Sequence, residues 1–565
     1  MRQRSGSTLH VILLVALCGA VYLPYLGNTP FFDKGEPREA LAVQDIVQRG
    51  EWLFPLKRAT AIPSKPPLFH WSAALVSEIT GALNETTIRL PSALYATLGV
   101  LLIYGLGRKL YSPAVALLAG AIVATTLVFS DQALSARVDM TLCVFLTLSL
   151  IVFYSLYRGL LVHRLWYFVF YLIVGIGTLA KGPLGILLPG LVIAGFLAIK
   201  RRWDLMMKFA FHPGVVLTVL LAGGWYGLAV TRGGEGFVDR QLLQENLKRF
   251  FGGSGHSHPV YYYLPYLFSL GLPWSLFFPF LLWDLAKKSR TGGDDHLFLK
   301  TWFIIMFVFF SLSAGKRPVY LLPIYPPLSL LLADWISQQN RSVGWRLWLY
   351  RAVAAIAVAT AGVLLIISFG AIWNHEPGWF FGPIASLLKP KDRANLLVVQ
   401  NALDSFGAIF TILMLVLAGF WLALAQAFWY GAIRRAALFV FGISIGFGFI
   451  SRGIVVPQIA ADKSYREFVL AMDRQVGPAA VINLFGEFNS DPVVFYHRKT
   501  IDALEQPLAE MARQVGTGNG YVIMPRPTWE EIEKIRPGLP PPILSSSGKG
   551  AEGDAPLVLV RAQVA

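Results

Sequence analysis

A bilayer core about 30 Å thick takes roughly 20 consecutive apolar residues to cross as a helix, and this chain supplies such a run repeatedly. The runs fall at approximately 9–27, 88–107, 113–130, 140–157, 165–180, 184–199, 213–231, 261–282, 298–313, 318–335, 352–373, 403–424 and 433–451. Hydrocarbon offers the backbone no water to bond with, so each run is expected to be a helix. Thirteen spans would put the two ends of the chain on opposite sides. Of the 565 residues 55% are hydrophobic and 15% charged, which excludes a soluble protein of this size. The net charge of +16 would suit nucleic acid, but most Lys and Arg sit in short loops between spans, and no nucleic-acid partner is expected.

Those loops set the orientation. Alternate ones hold Arg108/Lys109, Arg158/Arg164, Lys200/Arg201/Arg202, Lys287/Lys288/Arg290, Arg341/Arg346 and Arg434/Arg435, on the side of Arg2 and Arg4. The positive-inside rule makes that side cytoplasmic, with the N-terminus inside and the C-terminus outside. Arg2 and Arg4 before an apolar run resemble a signal sequence, but no small-residue cleavage site follows, so the run is read as a retained span. Cys18 and Cys143 fall inside apolar runs and read as small core residues rather than disulfide or metal partners.

The outer loops should be poor in Lys and Arg. They nevertheless contain Arg137, Lys181, Lys316 and Arg317, and the first outer loop, 28–87, adds Lys34, Arg38, Lys57, Arg58 and Lys65 beside Asp33 and Glu36. Charges near a bilayer cost roughly 2.5–3.5 kcal/mol each at its centre, so ionisable residues set against spans are functional candidates. An anionic ligand at the outer surface accounts for the cations. Pro37 and the spacing of Leu41, Val43, Ile46 and Val47 predict a helix over 38–49 lying on the membrane surface, with Glu36 at its cap. A second helix from Pro66–Pro67 would carry Leu68, Phe69 and Trp71 into the interface and leave Lys65 at a helix N-terminus, where backbone N–H groups favour a phosphate. Asp139 opens the fourth span and would face the same pocket as Glu36, helix capping being the alternative. Lys181, in LAKGPLG, stands where a tight turn needs no Lys.

Further along, 237–251 predicts another interfacial helix. His256 and His258, beside Gly and Ser, suit an acid/base or phosphate-contact role better than metal ligation, and Tyr261–Tyr263 suits an aromatic belt. Lys316 and Arg317 beside Tyr320 have the chemistry of a phosphate clamp. After about Asp462 the apolar runs shorten to strand length in AAVINLF, GYVIM and PLVLV, with helical segments near 464–475 and 528–535. The chain thus divides into a transmembrane unit, 1–461, and a small outer α/β domain, 462–565.

Taken in order, DKGEPREA, SKPPLFHW, LSARVDM, LAKGPLG, HSHPVYYYLPY and GKRPVYLLPIYPPL resemble the membrane glycosyltransferases of the GT-C type. They resemble in particular the ArnT-type aminoarabinose transferases of lipid A, within the wider protein O-mannosyltransferase-like group. The resemblance implies a polytopic α-helical membrane protein of about thirteen spans with a small periplasmic α/β C-terminal domain, a monomer in the bacterial inner membrane. It implies inverting transfer of a sugar, 4-amino-4-deoxy-L-arabinose or a related one, from undecaprenyl phosphate to lipid A or another periplasmic-face acceptor; protein or polysaccharide acceptors are the alternative. Residue by residue, Glu36 and Asp139 match acidic active-site positions, with Asp33 close by. Lys65, Lys316 and Arg317 match contacts to the carrier phosphate, and Arg38, Arg137, Lys181, His256, His258, Tyr263 and Tyr320 complete the substrate-binding candidates. Gly35 stands where many relatives carry the Asp of an Asp-Glu pair, and Ser64 where the aminoarabinose enzymes often carry Glu. These departures leave the sugar open, and with it any divalent metal; no other cofactor is expected. A transporter or flippase of a lipid-linked anion is the reading of another class. It predicts internal repeats and helices broken at the midplane, whereas no repeat is found here and the charges gather at one face.

Overall fold

Proline and glycine punctuate the chain where the apolar runs stop, and the helices follow that punctuation. The computed structural model describes residues 2–57, 61–62, 64–239, 258–287, 293–339, 346–374, 382, 385–386, 388, 390–477, 480–548, 550 and 554–563. It opens with α1 (Arg2–Tyr22), α2 (Glu36–Arg49), α3 (Leu68–Thr80) and α4 (Glu85–Leu110). Helix α2 has Pro37 in its first turn and ends at Gly50, whose φ of 69° is a left-handed cap that glycine adopts without strain. Helix α4 starts at a capping box, in which Asn84 accepts from the Thr87 N–H and Thr87 Oγ1 accepts from the Asn84 N–H, each at 3.1 Å. Then come α5 (Pro113–Thr125) and α6 (Leu127–Ala133), bent by 66° to each other, α7 (Val138–Tyr157) and α8 (Leu165–Lys181).

Among the described residues nine helices are long and apolar enough to cross a membrane, or up to eleven if each of two bent pairs is one span; Leu165–Lys181 and Leu184–Ile199 are shorter apolar helices. All the apolar runs of the sequence fall on these helices or bent pairs. The span Pro318–Gln338 lies deepest in the bundle, whereas α1 and the last span, Ile433–Lys463, are peripheral. Outward apolar side chains such as Leu13, Ile366 and Phe449 are exposed, the surface a bilayer would cover.

Side-chain contacts divide the loops into two groups. At one end Arg108 reaches Ser7, Arg158 pairs with Asp295, Lys200 pairs with Asp294 at 2.6 Å, and Arg434 donates to the Ser337 carbonyl. These are loops the charge pattern assigns to one side. The other end carries α2, α3 and a small mixed sheet of β1 (Ile482–Leu484), β2 (Asp502–Ala503), β3 (Val515–Pro525), β4 (Leu544–Ser545) and β5 (Leu557–Ala562). The strand order is β2-β1-β3-β5-β4, parallel from β2 to β3 and antiparallel beyond. The expected strands in AAVINLF, GYVIM and PLVLV are present, as are helices at Arg466–Val476 and Arg526–Ile535. The two-residue strands and the helices Asp491–His497 and Leu508–Gln514 are too short to leave a periodic signal.

This C-terminal unit sits on the first loop. Leu41, Val43 and Ile46 of α2 share one core with Phe69, Val469, Val494 and Phe495. Helix α2 is therefore packed between α3 and Asp491–His497 rather than laid on the membrane surface, and Phe69 is fully buried rather than interfacial. Polar contacts fix the register. The Tyr496 hydroxyl accepts from the Phe31 N–H at 2.7 Å and donates to Glu85 at 2.8 Å, and Lys57 pairs with Asp491 at 2.8 Å. On the opposite flank the Trp225 indole donates to the Leu53 carbonyl at 2.9 Å. The expected interfacial helix at 237–251 lies mostly outside the described residues, as does His256.

Tyr496→Phe leaves the buried Glu85 carboxylate and Phe31 N–H without their shared partner. Thermal unfolding of the purified protein in detergent is expected to show a loss of about 1–3 kcal/mol. An unchanged melting curve would mean that the sheet unit does not brace the loop.

Candidate active site

One buried arginine ties Glu36 of the first loop to the bundle. Arg89, in the first turns of α4, is buried and grips Glu36 with two parallel bonds, Nε to Oε1 and Nη2 to Oε2, both 2.8 Å. Its Nη1 donates to the Leu26 and Thr29 carbonyls at 2.9 and 2.7 Å, and its guanidinium lies over the Phe31 ring. Glu36 Oε1 also accepts from the Ala136 N–H at 2.8 Å. The Glu36 carboxylate thus ties α2, α4 and the loop before α7 together, with both oxygens engaged. Sequence reasoning passed over Arg89. The available signal was an Arg one turn inside an apolar span, in the segment IRLPSA.

Asp33 caps α2. Its Oδ1 accepts from the Gly35 and Glu36 N–H groups at 2.8 and 2.7 Å, and Oδ2 pairs with Arg137. Burial works against the charge, but the Arg137 guanidinium and the two backbone N–H groups override it and hold the Asp33 carboxyl below its ordinary range. Gly35 explains the register. A Cβ there would lie 2.2 Å from Arg137 Nη2, so Arg137 occupies the place of a side chain at 35 and takes its carboxylate partner from position 33.

Asp139 and Lys181 form a third pair, 2.5 Å apart and nearly buried, joining the first turn of α7 to the last residue of α8. The pairing accounts for a Lys in the α8 turn. Lys181 also lies 4.5 Å over the Tyr320 ring, while Lys65 and Arg137 act electrostatically on Asp139. Lys65 precedes α3, as expected. Asp139, Lys181, Arg137, Lys65 and Tyr320 therefore come together from four separate stretches of chain.

The remaining candidates form a supporting ring. Lys316 donates to the His258 carbonyl at 2.9 Å and to the Ser313 carbonyl; burial lowers its pKa. Tyr263 is fully buried rather than part of an aromatic belt, and its hydroxyl donates to the Arg317 carbonyl at 3.0 Å and accepts from the Arg317 N–H at 3.2 Å. The exposed member of the Tyr261–Tyr263 run is Tyr261. His258 stacks on Tyr262 with 4.2 Å between ring centroids. Arg38 turns to Glu39, at 2.9 Å, which also accepts from His70 Nε2 at 2.8 Å. Burial would raise the Glu39 carboxyl, yet Arg38 and His70 together hold it well below its ordinary range. Among the described residues no three His, Cys, Asp or Glu side chains stand together as a metal site would require.

A cavity of about 300 Å³ opens beside these pairs, lined in part by Asp33, Glu36, Arg89, Arg137, Asp131 and Arg452. The last two were not singled out from the sequence. A cavity with fixed cations and carboxylates, at one end of a helical bundle, suits a charged substrate held at a membrane surface.

The comparisons agree with that reading. Residues 64–225 match the family model described as dolichyl-phosphate-mannose-protein mannosyltransferase. An undecaprenyl phosphate-alpha-4-amino-4-deoxy-L-arabinose arabinosyl transferase of Pseudomonas fluorescens is 28% identical over 67% of this chain and 71% of its own. Its Pseudomonas aeruginosa counterpart is 31% identical over 58% of this chain and 60% of its own. The crystal structure of ArnT from Cupriavidus metallidurans bound to undecaprenyl phosphate superposes with a TM-score of 0.76 at 20% identity, over 97% of both chains. The chain shares the fold of ArnT and is similar to the ArnT-type glycosyltransferases. Apart from Arg89, the paired acidic and basic residues lie on the segments that carried the resemblance, DKGEPREA, LSARVDM and LAKGPLG. Neither the transporter reading nor a protein or polysaccharide acceptor is favoured.

Two outcomes are expected. Glu36→Gln or Arg89→Ala breaks a buried pair and costs about 3–5 kcal/mol, and a double-mutant cycle by chemical unfolding should show the two losses strongly non-additive. Glu39, held lower in the folded than in the unfolded chain, stabilises fully above its ordinary value of 4.5, and that contribution is lost as pH falls below it. Melting curves taken between pH 6 and pH 3 should therefore fall less steeply for Glu39→Gln than for the wild type.

Proposed function

We propose that this enzyme moves a sugar, 4-amino-4-deoxy-L-arabinose or a close relative, from undecaprenyl phosphate to lipid A. The observation that carries the reading is the Asp139–Lys181 pair, with Tyr320 against the lysine and Lys65 close by at the start of α3. The ligand named in the C. metallidurans structure and the names of the Pseudomonas relatives support the donor and the sugar. The charge asymmetry of the loops supports a cytoplasmic N-terminus, with the C-terminal unit (462–565) and the active site periplasmic, on a transmembrane unit of 1–461.

The chemistry follows from charge. The acceptor oxygen attacks the anomeric carbon from the face opposite the carrier. The bond from that carbon to the phosphate oxygen breaks, and the electron pair leaves with the polyprenyl phosphate. Lys181 and Lys65 neutralise the departing phosphate, with Lys316 and Arg317 at its far side. The phosphate competes with Asp139 for Lys181, which turns the Asp139 carboxylate toward the acceptor or the sugar amine. An acceptor phosphate of lipid A is already ionised and calls for no strong base; a hydroxyl acceptor would give its proton to Asp139. Arg137 spans the two acidic groups, with Asp33 holding it. Glu36 acts through Arg89 as a positioning residue. Arg38 is oriented by Glu39 along the first loop, and His258 frames the entrance beside Lys316.

Mass spectrometry of lipid A tests the reading, in a Gram-negative host that makes the lipid-linked sugar but lacks its own transferase. Wild-type chain should add a pentosamine. Lys181→Ala should lower the modified fraction about 10²–10³-fold, as loss of a preorganised charge at the leaving group does. Unmodified lipid A from well-expressed wild type would remove the acceptor assignment, and an active Lys181→Ala would remove the phosphate site.

A further inference from the structure

Arg452 is a cation that the transfer chemistry above does not use. It lies in the last span, on a π-helical turn, Ser451–Val455, a local widening that recurs at functional sites. Its Nη2 donates to Ser130 Oγ at 2.6 Å, and its charged and polar neighbours are Asp131, Tyr22 and Tyr25. Intramembrane arginines are costly and face partners or water-filled cavities. This one faces two cavities. The first is the polar cavity of the active site, where Asp131 is exposed and accepts a single bond from Gln132, 3.1 Å. The second is larger, about 400 Å³, and mainly apolar, set between α1 and the last span, with Leu17, Val21, Phe441, Ile445 and Phe449 in its wall. Tyr25, Leu127, Phe447, Gly448 and Arg452 line both. The two cavities therefore adjoin at Arg452, the first polar and the second apolar toward the bundle surface, where Ile445 and Phe449 are exposed.

The occupant follows from that composition. Arg452 and Arg137 supply positive charge, Asp131 and Gln132 supply groups that bind hydroxyls, and the outer part takes hydrocarbon. The donor phosphate has its own cations at Lys181 and Lys65, on the other side of Arg137. We propose that the two cavities together are the acceptor site: they admit one acyl chain of a phosphorylated sugar lipid sideways from the bilayer between α1 and the last span, with Arg452 holding the lipid's phosphate at the junction. This rests on the lipid A reading above.

Photolabelling tests it on the full-length protein in nanodiscs. The probe is a bis-phosphorylated lipid A analogue with a diazirine in an acyl chain. Labelled peptides should map to 17–25 or 441–449 and disappear with excess lipid A. Arg452→Gln should cut labelling about tenfold or more, Arg452→Lys should restore part of it, and Ile445→Trp, which fills the apolar part, should abolish it while leaving Arg452 in place. Labelling elsewhere, labelling indifferent to both Arg452→Gln and Ile445→Trp, or capture of a photoreactive polyprenyl phosphate by these same peptides would overturn the assignment. Sugar transfer is read separately. Labelling here without transfer to lipid A would sink the transfer reading and keep the site; transfer without labelling here would sink the site alone.

Discussion

The Glu36–Arg89 pair is the contact on which the first-loop end of this enzyme depends. A buried ion pair gains little net stability, because desolvating both charges offsets most of their attraction. What it supplies here is position. Arg89 spends its remaining donors on the Leu26 and Thr29 carbonyls, and Glu36 accepts the Ala136 N–H, so one pair fixes the end of α1, the start of α2, the root of α4 and the approach to α7. Asp33, Arg137 and Asp139 all lie within a few residues of those anchored points. Their geometry is inherited from a pair whose two carboxylate oxygens are both held.

A pattern of shared charges follows from that anchor. Each carboxylate near the cavity that is bound to a cation has a different partner: Arg89 for Glu36, Arg137 for Asp33, Lys181 for Asp139. Such pairs keep charges ready near a low-dielectric surface without leaving them uncompensated. An incoming anion can then exchange with a carboxylate for its cation, so that binding energy is used to rearrange charge at the reacting centre. The protein has to hold the cations within reach, and it does so by placing them at helix ends, where backbone and side chain are both well defined.

Much of this was legible in the chain. The apolar runs gave the helices because the bilayer permits little else, and the cations at the outer face stood out because the topology rule disfavours them. Lys181 and Lys65 were found that way, Asp139 as the acid that opens its span, and the three do come together. What stayed hidden was pairing over long separations. Nothing local in EPREA says that Glu36 is engaged by Arg89, and nothing in SDQA marks Asp131 as open to a cavity whose other wall is Arg452. Helix α2 read as a membrane-surface helix because its stripe of Leu41, Val43 and Ile46 is the same whether lipid or protein covers it. The cover is the helix Asp491–His497, too short to show a period of its own.

That cover has a consequence for how the enzyme comes into being. Phe31 and Tyr496 are 465 residues apart in the chain, so the loop that holds the acidic groups is synthesised long before the unit that braces it. Domains generally fold as units in order of synthesis, yet here the earliest functional segment has to wait, partly unsupported, until the whole bundle has been inserted. An incompletely made or misinserted chain would lack the brace and with it a formed reaction centre. The shape of the first loop is thereby tied to the arrival of a segment made much later, so the loop is set only when the helix Asp491–His497 has docked on it.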